Sequence, residues 1–329
     1  MLLTGCFGRT STSGKIVYLG VKESWLDGLF GYSSDIHVIN TDGSGDTNSV
    51  VPRGLGFEPK WSPDGQWIVF STKEVNRPNV QAVLYIMRSD GSQKVQVTND
   101  GCIDPAQRGG VSMSCDSSAT APSWSSDGSH IAFQSANWNI YVMDVGCVLR
   151  GEKCTLIPKL VTKGQSPSWS LDGKRLVYES YDKTETYRIY VTNVDGSGTP
   201  IDLTPDELSC QEPEWSPTGD KVAVTCYHPQ VQGCNWNIYV LNVDGSNATR
   251  LTNDGENVLN ISPSWSPDGN ELAFISNREG LNKCTGNQCC SDIRNKDSIF
   301  LMNASGDNII RLSKQDDEIV RWGWYAWIP

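Results

Sequence analysis

Five times along this chain a Pro-x-Trp-Ser motif, with Asp-Gly or Thr-Gly two residues on, runs directly into an apolar stretch. The copies are PKWSPDGQWIVF at 59–70, PSWSSDGSHIAF at 122–133, PSWSLDGKRLVY at 167–178, PEWSPTGDKVAV at 213–224 and PSWSPDGNELAF at 263–274. Self-similarity of this kind marks a supersecondary unit that buries its apolar face only by stacking on copies of itself. Each copy has a second half, as in LYIMRSDGSQKVQVT at 84–98, YRIYVTNVDGSGTPIDLT at 187–204, WNIYVLNVDGSNATRLT at 236–252 and IFLMNASGDNIIRLS at 299–313. A repeat therefore reads as four strands, A to D. Asp-Gly joins A to B and a second Asp-Gly usually joins C to D, with both turn residues expected at positive φ. Four antiparallel strands in a repeat of roughly 40–50 residues make a propeller blade. The nearly continuous apolar B strands, Trp67–Phe70 for example, fit sheets covered on both faces.

The ends extend the count. Ser13–Tyr18 reads as a turn and B strand, Asp35–Gly43 as strand C and its turn, and Val320–Tyr325 as an A strand with Trp322 in the motif position. The expected fold is all-β. It is a six-bladed propeller over residues 14–329, with four antiparallel strands per blade, closed by N- and C-terminal strands in one shared blade so that no sheet edge is left open. Residues 1–13 are expected to stand outside it as a flexible tether.

The repeat resembles the TolB-type WD40-like (PD40) propeller repeat of bacterial envelope proteins, over residues 14–325. The resemblance implies a non-enzymatic scaffold with a protein or peptide partner in the cell envelope. In that family an α/β domain ahead of the propeller carries the contact to other Tol proteins; these 329 residues contain no such domain, nor room for the α/β-hydrolase domain of the related peptidase propellers.

Composition narrows the setting. A net charge of −11 and a sequence pI near 4.8 argue against a nucleic-acid partner, which wants a basic face. No run approaches the roughly 20 apolar residues of a membrane helix. Eleven cysteines are many for a reducing compartment. Cys102 and Cys115, Cys147 and Cys154, and Cys226 and Cys234 read as local pairs, with a cluster at Cys284, Cys289 and Cys290. Cys210 is left to pair with Cys289 or Cys290, and connectivity stays open. Cys6 is the odd one. Leu3-Thr4-Gly5-Cys6 resembles the lipobox of a bacterial lipoprotein signal, although the basic and apolar regions that precede one are missing. Cys6 is then the lipidation candidate, and the expected location is extracytoplasmic, membrane-anchored, periplasmic or cell-surface. A monomer is expected.

Long loops on one end of a rigid scaffold are where binding usually resides. Here they fall on the face of the D–A and B–C loops: 99–121, 225–235, 276–297 and 20–33, the last carrying Trp25, Leu26, Phe30 and Tyr32. The opposite face has short turns except for 145–157. Beside the motif tryptophans, Glu58, Lys60, Glu212, Glu214 and Arg321 give the channel mouth charged candidates for ligand or partner binding. Trp25 and Trp324 are candidates for exposed stacking, as on a carbohydrate. The motif tryptophans themselves read as inter-blade packing. An envelope enzyme acting on polysaccharide or phosphate esters is the alternative, but His37, His130 and His228 have no metal-ligand spacing and no Gly-x-Ser-x-Gly occurs. Asn40-x-Asp42-x-Ser44-x-Asp46-x-Asn48 echoes a calcium loop without its downstream Glu, so neither calcium nor another cofactor is expected.

Overall fold

The computed structural model describes residues 14–26, 29–42, 44, 55–73, 82–98, 118–183, 186–231, 235–255, 258–278, 298–312 and 325–328. Five antiparallel four-stranded blades follow one another. Ahead of them lie β1 (Lys15–Leu26) and β2 (Leu29–Asn40). Blade one is β3 (Leu55–Trp61), β4 (Trp67–Lys73), β5 (Val83–Arg88) and β6 (Val95–Gln96). Blade two is β7 (Ala119–Trp124), β8 (His130–Ser135), β9 (Asn139–Asp144) and β10 (Lys159–Lys163), with a single helical turn, α1 (Gly146–Leu149), before its last strand. Blade three is β11 (Gln165–Trp169), β12 (Arg175–Tyr181), β13 (Tyr187–Asn193) and β14 (Ile201–Asp202). Blade four is β15 (Ser209–Trp215), β16 (Lys221–Tyr227), β17 (Asn237–Asn242) and β18 (Ala248–Arg250). Blade five is β19 (Asn260–Trp265), β20 (Glu271–Ser276), β21 (Ser298–Asn303) and β22 (Ile310–Arg311), and β23 (Tyr325–Ile328) ends the chain.

The motif is legible as hydrogen bonding. In blade one the Ser62 hydroxyl donates to Asp64 and accepts the Trp67 N–H at 3.0 Å, while Asp64 accepts the Gln66 N–H at 3.0 Å. Blades two, three and five repeat this with Ser125–Asp127, Ser170–Asp172 and Ser266–Asp268. The turn itself differs from the expected pair of positive φ values. Gly65 alone is left-handed (φ 67°), and its N–H returns to the Ser62 carbonyl at 2.9 Å. This is a type I turn ending on a left-handed glycine, in which Pro63 takes the favoured second position. The threonine that follows strand D in blades one, three and four has a comparable reason. The hydroxyls of Thr98, Thr204 and Thr252 accept the N–H groups of Leu84, Ile189 and Ile238 in strand C.

Alternate residues of each B strand face opposite neighbours, so the core lies between blades rather than within one. Trp67 and Val69 pack with Ile131 and Phe133 of blade two. Ile68 and Phe70 pack instead with Val17, Ile36 and Val38 of β1 and β2. The other face of β1 and β2, Ile16, Tyr18 and Ile39, packs on Ile275, Ile299 and Leu301 of blade five.

The expectation of six four-stranded blades is corrected here. The terminal sheet has three strands in the order β2-β1-β23, and among the described residues it has no fourth. It is a separate unit, not another copy of the repeat. The count rested on a strand over 320–325 with Trp322 as its motif residue. Trp322 lies outside the described residues, and the strand that pairs Lys15–Tyr18 of β1 is Tyr325–Ile328. The segment 20–33 is likewise no irregular loop: β1 and β2 pair continuously from Lys15↔Asn40 to Leu26↔Leu29, so Trp25 sits opposite Phe30 in a ladder. Strand alternation there extends well beyond the apolar run that revealed it.

Cys147 and Cys154 form the expected local disulfide around α1. Cys226 does not pair with Cys234, nor Cys210 with Cys289 or Cys290. Cys210 and Cys226 are directly opposite in β15 and β16, with Cα atoms 4.1 Å apart, and are bonded to each other. The register of two adjacent strands, not a loop, brings them together. Cys6, Cys102, Cys115, Cys234, Cys284, Cys289, Cys290 and the 1–13 tether lie outside the described residues.

Candidate functional site

The five inner strands share an irregularity that builds the site. In each, the ladder to strand B slips between the residue two before the motif proline and the residue just after it: Phe57/Lys60, Thr120/Ser123, Gln165/Ser168, Gln211/Glu214 and Ile261/Ser264. Proline has no N–H for the ladder, so the strand bulges there. The residue preceding it is left-handed every time: Glu58 (φ 55°), Ala121 (48°), Ser166 (49°), Glu212 (54°) and Ser262 (53°). Each bulge takes a backbone N–H out of its own blade's ladder, and four of the five donate to a side chain of the preceding blade. Glu58 accepts from Ala121. Gln134 accepts from Ser166 at 3.3 Å, and Glu179 from Glu212 at 2.6 Å. Glu212 in turn accepts from Ser262 N–H at 2.8 Å and from the hydroxyls of Thr225 and Ser262.

These carboxyls are buried, which disfavours their charged form. Burial pushes Glu58 and Glu179 up to about 7 against the opposing pull of their N–H donors, and it raises Glu212 as well. Glu58 and Glu212 therefore act as inter-blade clasps while also lining the channel. Glu179 and Gln134 were missed. The signal was present: each stands 13 residues after its blade's left-handed position, where blades one and four carry Ser71 and Thr225. A long acceptor comes from strand A or from strand B, and the partner position is small.

The motif tryptophans pack between blades as expected. The indole N–H groups of Trp124, Trp169 and Trp265 donate to the carbonyls of Lys60, Ser123 and Glu214 in the preceding blade, at 3.1–3.2 Å. Trp215 turns instead to Gly219 of its own blade.

Inside this ring lies a cavity of about 380 Å³. It runs from the left-handed residues to the A–B turns at Pro63, Ser126, Leu171, Pro217 and Pro267, so it opens toward the short-turn face. The long-loop segments 99–117 and 279–297 lie outside the described residues. The structure brings together four of the expected residues. The Lys60 ammonium, from blade one, reaches Glu214 of blade four at 2.9 Å. These blades are not neighbours, so the ion pair crosses the cavity. The other Glu214 oxygen accepts the Ser264 hydroxyl and the Trp265 N–H at 3.0 and 3.1 Å. Arg321 and Trp324 lie outside the described residues, and so does the side chain of Trp25.

Among the described residues no group of three or more His, Cys, Asp and Glu side chains has the geometry to hold a metal. His37 stacks on Tyr18, and His130 lies against Trp169 and the Ser129 hydroxyl. Asp42 is occupied by the N–H and hydroxyl of Ser44, as in an ordinary strand C–D turn, while Asp46 and Asn48 lie outside the described residues.

Comparison with known proteins agrees with this geometry. Over 99 residues the chain is 31% identical to the uncharacterized protein Atu1656 of Agrobacterium fabrum, a match covering 28% of this chain and 33% of that protein. The fold is similar to that of TolB from Acinetobacter baumannii, with a TM-score of 0.68 at 20% identity, over 96% of this chain and 67% of that one. It is similar also to a putative TolB from Agrobacterium tumefaciens, with a TM-score of 0.56 at 20% identity, over 92% and 89%. The sequence pattern of the TolB β-propeller domain (PD40) matches residues 151–324, more than half of the chain, and the chain belongs to that family.

Proposed function

We propose that this protein is a non-catalytic binding propeller that seats an extended segment of a protein partner in the short-turn mouth of its central cavity. The observation that carries the reading is the cavity itself. It is lined by backbone-anchored inner strands whose left-handed residues, prolines and tryptophans are held from blade to blade. A preformed pocket loses little freedom on binding. Polar groups at its mouth supply register, and the half-exposed Leu171 offers an apolar rim. An extracytoplasmic location goes with this reading, supported by two disulfides among the described residues. Lipid attachment at Cys6 belongs to the same proposal; absence of lipid label on Cys6 in the native host would remove it.

The test uses the full chain against a displayed library of extended peptides. Leu171→Arg at the cavity mouth should weaken captured peptides by about tenfold or more, a loss of about 1.4 kcal/mol. Val231→Arg, an exposed site in the strand B–C loop of blade four, should leave them unchanged. The reverse result would place binding on the long-loop face.

A second reading has one observation in its favour. Trp138 is 48% exposed, left-handed (φ 56°) and stacked on Tyr181 at 5.1 Å, and Tyr181 packs on Tyr187. A flat, half-open aromatic ledge between blades two and three suits a sugar ring. Quenching of tryptophan fluorescence by oligosaccharides, abolished in Trp138→Ala, would support it; no quenching across neutral and acidic glycans would dismiss it.

A further inference from the structure

The ion pair across the cavity is unequal. Glu214 is fixed, because its Oε1 is already bonded to a hydroxyl and a backbone N–H of blade five. Lys60 is not fixed in this way. Its ammonium sits at the end of a four-carbon stem, and among the described residues its hydrogen-bond partner is Glu214 Oε2. Both side chains keep about one-fifth to one-quarter of their surface exposed, so water can take up the ammonium when the pair opens. Holding a lysine stem in one geometry costs side-chain entropy in return. When the pair opens, Lys60 is therefore the half that moves. What remains when it swings away is a fixed carboxylate with one free oxygen, in a cavity also lined by Glu58 and Glu212. An incoming anion would leave Glu214 unpaired beside a like charge, which penalises it. An incoming cation would replace like with like.

We infer that the partner segment presents a cationic side chain to Glu214, taking the place that the Lys60 ammonium holds in the free protein. This rests on the peptide-binding reading above and adds the chemistry of the ligand: a guanidinium or amine on an otherwise uncharged, extended stretch. Guanidinium is the better fit, since a planar fork pairs with a carboxylate more selectively than a point charge. Lys60 then acts as an internal stand-in that keeps the cavity closed to neutral and acidic segments.

The experiment uses the full chain and small probes. N-acetyl-arginine methylamide should bind Lys60→Met about tenfold more tightly than wild type, because methionine keeps most of the stem's bulk and removes the competing charge. The neutral N-acetyl-citrulline methylamide should gain nothing, and adding Glu214→Gln to Lys60→Met should erase the arginine gain. An equal gain for citrulline, or none for arginine, overturns the inference. A second measurement needs no variant. Acetylation of Lys60 in the wild type, followed by peptide mass, should accelerate when the arginine probe saturates the protein and not with citrulline; an unchanged rate also overturns it. The two readings separate cleanly. A wild-type protein that captures only acidic peptides in a Leu171-dependent way keeps the peptide reading and removes this inference. An arginine gain without any captured peptide removes the peptide reading and leaves the cation pocket.

Discussion

Glu58, Glu179 and Glu212 set the pH behaviour of the fold. Each replaces water around a carboxyl with two or three backbone or hydroxyl donors, and burial wins over those donors. For Glu58 and Glu179 the folded value of about 7 lies above the ordinary 4.5, so the folded state binds more protons between those limits. Their stabilisation is complete below about pH 4.5 and is lost as pH rises through about 7. Asp127 has the opposite sign. The Ser125 hydroxyl and the Ser129 N–H hold it down to about 2, so its contribution is present above about 4 and is lost as pH falls through about 2. Thermal stability should therefore peak near pH 5 and decline by several degrees toward pH 8. Glu179→Gln should flatten that decline, because a glutamine keeps the accepting oxygen without the charge, as Gln134 does in blade two. Scanning calorimetry of both proteins from pH 4 to 8 decides it, and an unchanged slope in the variant would assign the pH dependence elsewhere.

At the scale of the strand, the bulge and its clasp form one device with two spellings. Blades one and four place the long acceptor on strand A, with Ser71 or Thr225 beside it on strand B; blades two and three place it on strand B, with Ala121 or Ser166 beside it on strand A. Glu179→Ser alone leaves the Glu212 N–H without its acceptor, a cost of about 1–3 kcal/mol. Ser166→Glu alone crowds a second carboxyl beside Glu179. Both changes together rewrite blade three in the spelling of blade one. Chemical denaturation should show the double variant to be more stable than the sum of the single losses, by about 1 kcal/mol or more; strict additivity would mean that the two positions do not share one acceptor site. This device explains what the sequence disclosed and what it hid. The tryptophan, proline and Asp-Gly recur at fixed places, so packing and turns could be read from them. Glu179 was invisible to the same reading because its role is conserved between blades as a sum over two positions, not as an identity at one. Glu58 and Glu212 were noticed for their charge, yet the chemistry that matters is their capacity to accept from the next blade.

For the whole molecule, cohesion comes from interfaces between blades, and the repeat alone could not show how the ends behave. The terminal sheet meets blade five on one face and blade one on the other with apolar side chains, yet among the described residues it does not reproduce the four-stranded unit. A motif count is blind to that difference because it tracks tryptophans and not strand edges. The disulfides divide along the same line between core and periphery. Cys210 and Cys226 lie fully buried in the cluster shared by blades three and four. Cys147 and Cys154 close a peripheral excursion, with Cys154 exposed. A thiol reductant reaches a disulfide only by direct attack on sulfur, so access governs the rate. The buried pair becomes reachable only when the blade three–blade four interface opens, which requires much of the fold to come apart. Reduction and alkylation in native buffer should therefore label Cys147 and Cys154 first, while Cys210 and Cys226 stay unlabelled until denaturant reaches the unfolding transition. Peptide mass analysis across a denaturant series reads both. Labelling of all four at one rate in native buffer would mean that blades three and four separate freely, and the cavity they help to line would then not be preformed.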